Sequence, residues 1–581
     1  MRRVDDYKEV WIVDFEFQVH EGGLPVVHCM VAREAFTRRL IRLSSDKLYQ
    51  LSKPPFDIGK NSLFVAYYAS AEFGCFLELG WQVPSNILDL YVEFRRLLAG
   101  HKTEQRFSLP HALCYFNLSQ HLPAAKEEWR QIAIRGGPFT TDESKGLLDY
   151  CQEDVDATTL LLKAMKNHFR FPYCLIRGRY MWSVALMERQ GIPIDLEMLE
   201  LLRNNWDCIR EQLIERVDQS GVYSEGSFSQ KRFEAFLAEQ QIPWPRLPSG
   251  RLALDDNTFR QQARSHPTSI AKYHELRTAL SKLKLSRLAV GDDGRNRTLL
   301  SPFRSTTSRN QPSNAKFIFG PSAWIRGLIK PAPGKFITYI DWSQQELGIA
   351  AALSGDPNMK DAYRSGDPYL RFAQMANAVP SNATKESHPG PRAAYKVCML
   401  AVQYGMGAQS LASQLGKPLY EANRLLRAHK DTFPQYWEWN QRIMDTGFAQ
   451  GRLETVFDWS RAVLQDSKPA SVGNFPVQGN GAEMLRIAIM LMHEKGLEVS
   501  APIHDAVLIE GPIDREVECV DLAQNCMCKA SEIILNGFAL GSDSKSVKTP
   551  NRYMDEERGM SFWNEIMSIL KKPSYEIQTF T

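Results

Sequence analysis

The sequence predicts a multidomain chain of mixed α/β and α+β character, and three observations carry that expectation. Short β-type runs at Val10–Val13 and Ser62–Ala69, followed by a stretch of three-to-four-residue apolar spacing from Lys145 to Met165, mark an α/β unit over about residues 1–171. A charged, helical pattern then runs from Tyr180 to about Leu288, with Leu196–Gln219 and Ile270–Leu288 as its clearest helices and a Pro-rich loop from Pro243 to Pro248 between them. Finally, two buried-type strands, Phe336–Ile340 ending in Asp341 and Pro502–Ile509 with His504-Asp505 in its middle, bracket a helical region at about 361–475.

A length of 581 residues suits two to four domains and leaves room for a cleft between them. Hydrophobic content of 44% and charged content of 24% are ordinary for a globular chain, which excludes a largely disordered one. A net charge of +3 neither requires nor excludes a nucleic-acid partner. The ten cysteines lack CxxC spacing, so neither a zinc site nor a disulfide framework is expected. No signal core opens the chain and no apolar run reaches the ~20 residues needed to span a bilayer, so a soluble, cytoplasmic protein without a membrane partner is expected.

Asp341 and Asp505 carry the first chemical expectation. Two carboxylates at neighbouring strand positions, separated in sequence by a long helical insertion, are what two-metal phosphoryl transfer requires, because a rigid sheet can hold ligands for ions about 3.5–4 Å apart. Asp14-Phe15-Glu16 places two more carboxylates on one side of a strand. Tyr150 and Asp154 stand four apart on a helix, and Glu72 follows the second apolar strand.

Asp341-Trp342-Ser343-Gln344-Gln345-Glu346-Leu347 resembles motif A of the family A, DNA polymerase I-like polymerases, and Arg392-Ala393-Ala394-Tyr395-Lys396 to Tyr404-Gly405-Met406 resembles their motif B. His504-Asp505 resembles motif C, with Ala506 where Glu is usual. Thr307-Ser308-Arg309, Asn474–Gly479, Met187–Asp195 and Tyr273–Lys284 agree with the same family in order and spacing.

The resemblance implies Asp341, Asp505 and the Trp342 carbonyl as metal ligands, with Gln344, Glu346, Leu400 and Tyr404 around the incoming nucleotide. Arg392 and Lys396 are implied on the triphosphate, sharing roughly one helix face with Tyr404, and Arg309, Gln478 and His504 on the DNA. Glu346 under the sugar implies deoxynucleotide selectivity. Leu400 stands where Phe or Tyr is common, and Tyr369 where many members have His.

The N-terminal carboxylates resemble a DnaQ-like, RNase H-like 3′-5′ proofreading exonuclease. The implied metal ligands are Asp14, Glu16, Glu72 and Asp154, with Tyr150 positioning water; Glu72 replaces the usual Asp and Tyr67-Tyr68 the usual His-Asn.

The expected organisation is an exonuclease over 1–171, the start of a right-hand polymerase with its thumb over 172–325, palm over 326–360, fingers over 361–475, and palm with the C-terminus over 476–581. Expected cofactors are Mg²⁺ or Mn²⁺, two ions at each site. Expected partners are primer-template DNA, dNTPs and replisome proteins, for a monomer. With no 5′-nuclease ahead of residue 10, the arrangement resembles replicative polymerases of tailed phages, which would place the protein in a host cytoplasm. The rival readings are an exonuclease with an inactive polymerase body and a non-catalytic DNA-binding replisome scaffold.

Overall fold

A computed structural model of the chain describes residues 3–102, 107–119, 126–266, 268–282, 285–320 and 322–570. The N-terminal unit is a five-stranded sheet of β1 (Glu9–Val19), β2 (Pro25–Glu34), β3 (Leu40–Ser44), β4 (Ser62–Ala66) and β5 (Ile87–Asp89), in the order β3-β2-β1-β4-β5. β1 runs antiparallel to β2 and parallel to β4. Alternation divides β1 between two cores: Trp11, Val13 and Phe15 enter one, while Val10 and Ile12 enter another beneath the helix Thr141–Met165. Asp14 and Glu16 continue the second face, so the alternation that buries Val10 and Ile12 also aims these carboxylates toward that helix.

The second sheet comprises β6 (Lys335–Trp342), β7 (Glu498–Ile503), β8 (Ala506–Pro512) and β9 (Ser542–Lys548), in the order β7-β8-β6-β9 and antiparallel throughout. The run Pro502–Ile509, expected as one strand, is a hairpin folded at His504-Asp505. Ile503 pairs with Ala506, and His504 takes the left-handed φ of +58° that a tight two-residue turn favours. An apolar run with a polar pair inside it reads as one strand by periodicity, and only the turn geometry separates the two halves.

Other boundaries move for local reasons. Leu196–Gln219 divides into Leu196–Asn204 and Trp206–Val217 at Asn205. The helix expected over Tyr273–Lys284 runs Ile270–Lys282, and Lys284 lies outside the described residues. Pro469–Glu494 is one helix despite Pro476 and crosses the 475/476 division; the 325/326 and 360/361 divisions also fall inside helical segments. Residues 571–581 of the C-terminal expectation lie outside the described residues. Among the described residues no helix is long and apolar enough to cross a membrane.

Buried charge ties the two sheets' surroundings together. Glu93, on the helix Leu90–Leu98, accepts from Arg177 Nε at 2.6 Å and Nη2 at 3.0 Å and from Arg96 Nε at 3.1 Å. Arg177, on Tyr173–Gln190, also donates to the Phe457 carbonyl at 2.8 Å, and Arg96 pairs with Asp458 at 3.2 Å. Burial opposes the Glu93 charge, but Arg177 and Arg96 outweigh it and hold its carboxyl below the usual range.

Removing Glu93 strands two buried guanidinium groups, so Glu93→Ala is expected to cost about 3–5 kcal/mol. In thermal melting it should lower the transition clearly, whereas Lys102→Ala, which removes an exposed pair with Asp466, should leave it within about 1 kcal/mol of wild type. Equal melting of the two variants would contradict the network's role.

Candidate active sites

The strand register assembles the first site. Asp341, near the end of β6, lies opposite Ala506 on β8 and opposite Asp543 on β9, while Asp505 occupies the hairpin turn next to Ala506. Asp341 is lifted to about 7 by burial, then by the negative charges of Asp505 and Asp543. Its Oδ1 atom is buried without a hydrogen-bond partner. Carboxylate oxygens crowded together with an unsatisfied buried acceptor are a donor set that fits a hard divalent cation. The Trp342 side chain is buried in the core, leaving its main chain at the strand end beside Asp341.

A cavity of about 330 Å³ adjoins this sheet edge and is lined by Arg309, Gln344, Glu346, Leu400, Tyr404 and His504 among others, with Asp505 at its wall. Gln344 adopts φ +45° as it caps the helix Gln345–Ser354, which carries Glu346 in its first turn. Glu346 lies 3.6 Å from Arg309 Nη2 and hydrogen-bonds the Tyr404 hydroxyl, whose pKa rises through burial and then the Glu346 charge.

Arg392 and Lys396 occupy one face of the helix Pro389–Gln403, with their cationic groups 5.7 Å and 5.6 Å from the Tyr369 ring centroid. Arg392 Nε also donates to Asp367 Oδ2 at 2.5 Å. Tyr404 does not share their face: it is the residue that ends the helix, and it turns toward Glu346. Twelve residues from Arg392 amount to three and a third turns, which rotates Tyr404 away.

A larger cleft of about 1110 Å³ joins the cavity through Arg309, Tyr404 and His504 and is lined further by Gln478, Arg304 and Lys468. Arg309 is placed by its neighbour Ser308, which is fully buried at φ +63°, a conformation that a serine adopts only when held. Arg486 donates to the Ser308 carbonyl and hydroxyl, both at 2.9 Å, and pairs with Glu483 at 2.8 Å.

The second site lies at the end of β1. β4 pairs with β1 only as far as Ile12, so beyond that point the β1 edge is open and the helix Ala69–Glu78 fills the gap. Glu72 there accepts from the Phe15 backbone N–H; burial, then Asp14 and Glu16, push its carboxyl well above the usual range. Glu72 Oε2 is buried without a hydrogen-bond partner. Tyr150 and Asp154 approach from Thr141–Met165, and burial followed by the charges of Asp154, Glu16 and Asp14 raises the Tyr150 hydroxyl. The structure thus gathers all five residues expected at this end of the chain.

Two participants escaped the sequence reading. Cys151 places its sulfur within 4.8 Å of carboxylate oxygens of both Asp14 and Glu16. Asp543 lies in Ser542–Lys548, a polar strand with no apolar alternation. The adjacency of Cys151 to Tyr150 was a usable signal; for Asp543 there was none, since its partner Asp341 lies some two hundred residues earlier.

The sequence profile of DNA polymerase family A matches residues 237–539, more than half of the chain. The DNA polymerase I of Aquifex aeolicus is 24% identical over 379 residues, covering 63% of this chain and 65% of that protein. The thermostable DNA polymerase I of Thermus thermophilus is 30% identical over 381 residues, covering 60% of this chain and 44% of that one. The chain therefore spans less than two thirds of the length of these relatives. Among solved structures, the POL domain of Pol1 from M. smegmatis, in complex with DNA primer-template and dNTP, superposes with a TM-score of 0.71 at 17% identity, covering 92% of this chain and 94% of that one, which shows a shared fold. The chain belongs to DNA polymerase family A.

Proposed function

We propose that the protein is a template-directed DNA polymerase that extends a primer 3′ end with dNTPs and carries a 3′-5′ exonuclease in its N-terminal unit. The observation that carries the first part is the convergence of Asp341 and Asp505 at one sheet edge, with Asp505 on the wall of a cavity also lined by Arg309, Glu346 and Tyr404 and continuous with a larger cleft. On this reading the second sheet is the palm, the helices of 361–475 the fingers and those of 172–325 the thumb.

Asp341 and Asp505 would hold Mg²⁺ or Mn²⁺, which when bound would supply Lewis-acid activation of the primer 3′-OH and charge neutralisation at the phosphates. The chain's own residues supply the remainder. Arg392 and Lys396 bind the triphosphate oxygens as a planar and a point cation, respectively, which requires Arg392 to leave Asp367. Glu346, held by Arg309 and Tyr404, closes the sugar pocket against a ribose 2′-OH. Arg309 and Gln478, both facing the cleft, donate to the purine N3 and pyrimidine O2 acceptors, whose similar placement in every Watson–Crick pair reports pair geometry without reading sequence. The bond formed joins the primer oxygen to the α-phosphorus, and pyrophosphate leaves.

The exonuclease reading rests on Asp14, Glu16, Glu72, Tyr150 and Asp154 around one strand end. Tyr150 there orients a water against the terminal phosphodiester. Replisome partners and a monomeric state remain part of the same proposal.

Primer extension on a primed single-stranded template tests the polymerase. Asp505→Ala is expected to lower it by about three orders of magnitude, or ~4 kcal/mol of transition-state stabilisation; full extension by that variant contradicts the assignment. Shortening of a 3′ end without dNTPs tests the nuclease: Asp14→Ala should abolish it while leaving extension intact, and shortening that persists assigns it elsewhere.

The raised Asp341 carboxyl makes a further prediction for the protein in chelator. Its folded pKa of about 7 lies above the unfolded value near 4, so its contribution to stability is complete below pH ~4 and is lost as pH rises through about 7. Thermal melting from pH 5 to 8 should therefore fall for wild type more steeply than for Asp341→Asn. Mg²⁺ should restore the wild type at pH 8, and parallel curves for the two proteins would refute the assignment.

A further inference from the structure

Ala506, Asp341 and Asp543 form one row across β8, β6 and β9. Residues directly opposite one another on antiparallel strands point to the same face, with Cβ atoms about 4.5–5.5 Å apart. Asp341 thus has a neighbour on either side: Ala506 offers only a methyl group, and Asp543 offers a carboxylate. That carboxylate is oriented, since Ser343 Oγ donates to Asp543 Oδ2 at 2.6 Å from the segment that carries Asp341. Tyr363 reinforces the junction, accepting from Gly541 N–H at 3.2 Å and donating to the Ser343 carbonyl at 3.1 Å.

Lys545, two residues along β9, does not neutralise the row, because its ammonium pairs with Glu556. Among the described residues none of Asp341, Asp505 and Asp543 forms an ion pair, while Asp341 Oδ1 is buried with no hydrogen-bond partner.

We propose that Asp543 is a third carboxylate of the polymerase metal site, holding a divalent cation together with Asp341 and Asp505. The proposal rests on the polymerase reading of this site. Hard cations gain affinity with each carboxylate oxygen, and a strand neighbour held by a hydroxyl is already oriented to give one. β9 then serves as a ligand-bearing strand of the palm, and Ser343 as the residue that positions its carboxylate.

The test measures metal binding apart from turnover. In an Asp14→Asn background, which weakens the N-terminal cluster, Mn²⁺ binding to the full chain with a dideoxy-terminated primer-template and dNTP is followed by the paramagnetic resonance of free Mn²⁺. Asp543→Asn is expected to weaken this binding about tenfold and to raise the Mg²⁺ concentration that half-saturates primer extension by a similar factor. Ala506→Glu added to Asp543→Asn should recover part of both by returning a carboxylate to the other side of Asp341. Unchanged Mn²⁺ binding and Mg²⁺ dependence in Asp543→Asn overturn the proposal. Should Asp543→Asn fold poorly, Asp543→Ser, matching the serines on either side of it, is read against the same two outcomes. A wild type that binds Mn²⁺ here but never extends a primer defeats the polymerase reading instead, and the loss of binding in Asp543→Asn still decides the ligand.

Discussion

Mutual repulsion among carboxylates is the constraint around which both sites are built. Asp341, Asp505 and Asp543 meet at one edge of the second sheet, and Asp14, Glu16 and Glu72 at the end of the first. Left to themselves such groups separate or take up protons. Strand pairing prevents the separation: a one-residue slip would turn Asp341 to the opposite face, so the register with β8 and β9 that packs the sheet also holds the charges together. On the proposed reading the crowding favours a cation at each site, because a cation would relieve a repulsion the fold has already imposed.

Holding such sites in register requires a rigid frame, and the frame relies on buried ion pairs as well as on apolar packing. Glu93, Arg96 and Arg177 join the helices behind the first sheet to the Phe457-Asp458 turn, which precedes the long helix Pro469–Glu494. From that helix Arg486, paired with Glu483, reaches back to Ser308 and so sets Arg309. Each link would be costly to break because it leaves a charge without water or partner. The same links make the position of Arg309 depend on residues far from the cleft.

Much of the placement of the candidate residues was legible in the sequence, and what was not has a definite physical cause. Motif order placed Asp341, Glu346, Arg392, Lys396 and Asp505, and i, i+2 and i, i+4 spacing placed Asp14, Glu16, Tyr150 and Asp154, because these relations are local. The hairpin at His504-Asp505 was missed since its two strands share one apolar run, and the turn is visible only as a positive φ. Asp543 was missed because its meaning lies in a pairing with Asp341 across a long stretch of chain. Tyr404 departs from the face of Arg392 and Lys396 because twelve residues are not a whole number of turns and because the helix ends at it. Non-local pairing and helix termination are decided by the whole fold, whereas motif spacing is decided by the backbone alone.

The cations near the second sheet's carboxylates follow a complementary logic. In the free protein Arg392 is engaged by Asp367 and Arg309 by Glu346, while Arg392 and Lys396 both stand over the ring of Tyr369. A carboxylate carries one negative charge and a triphosphate several, so on the polymerase reading the nucleotide displaces Asp367 by outbidding it in charge, whereas a monophosphate has little advantage. The ring face of Tyr369 keeps both cations on one side during that exchange without accepting their hydrogen bonds, which the unprotonated nitrogen of a histidine at the same position could do. On the same reading the anions stay crowded until a metal binds and the cations stay parked until a triphosphate binds, so each half of the site would be completed by a component of the same substrate complex.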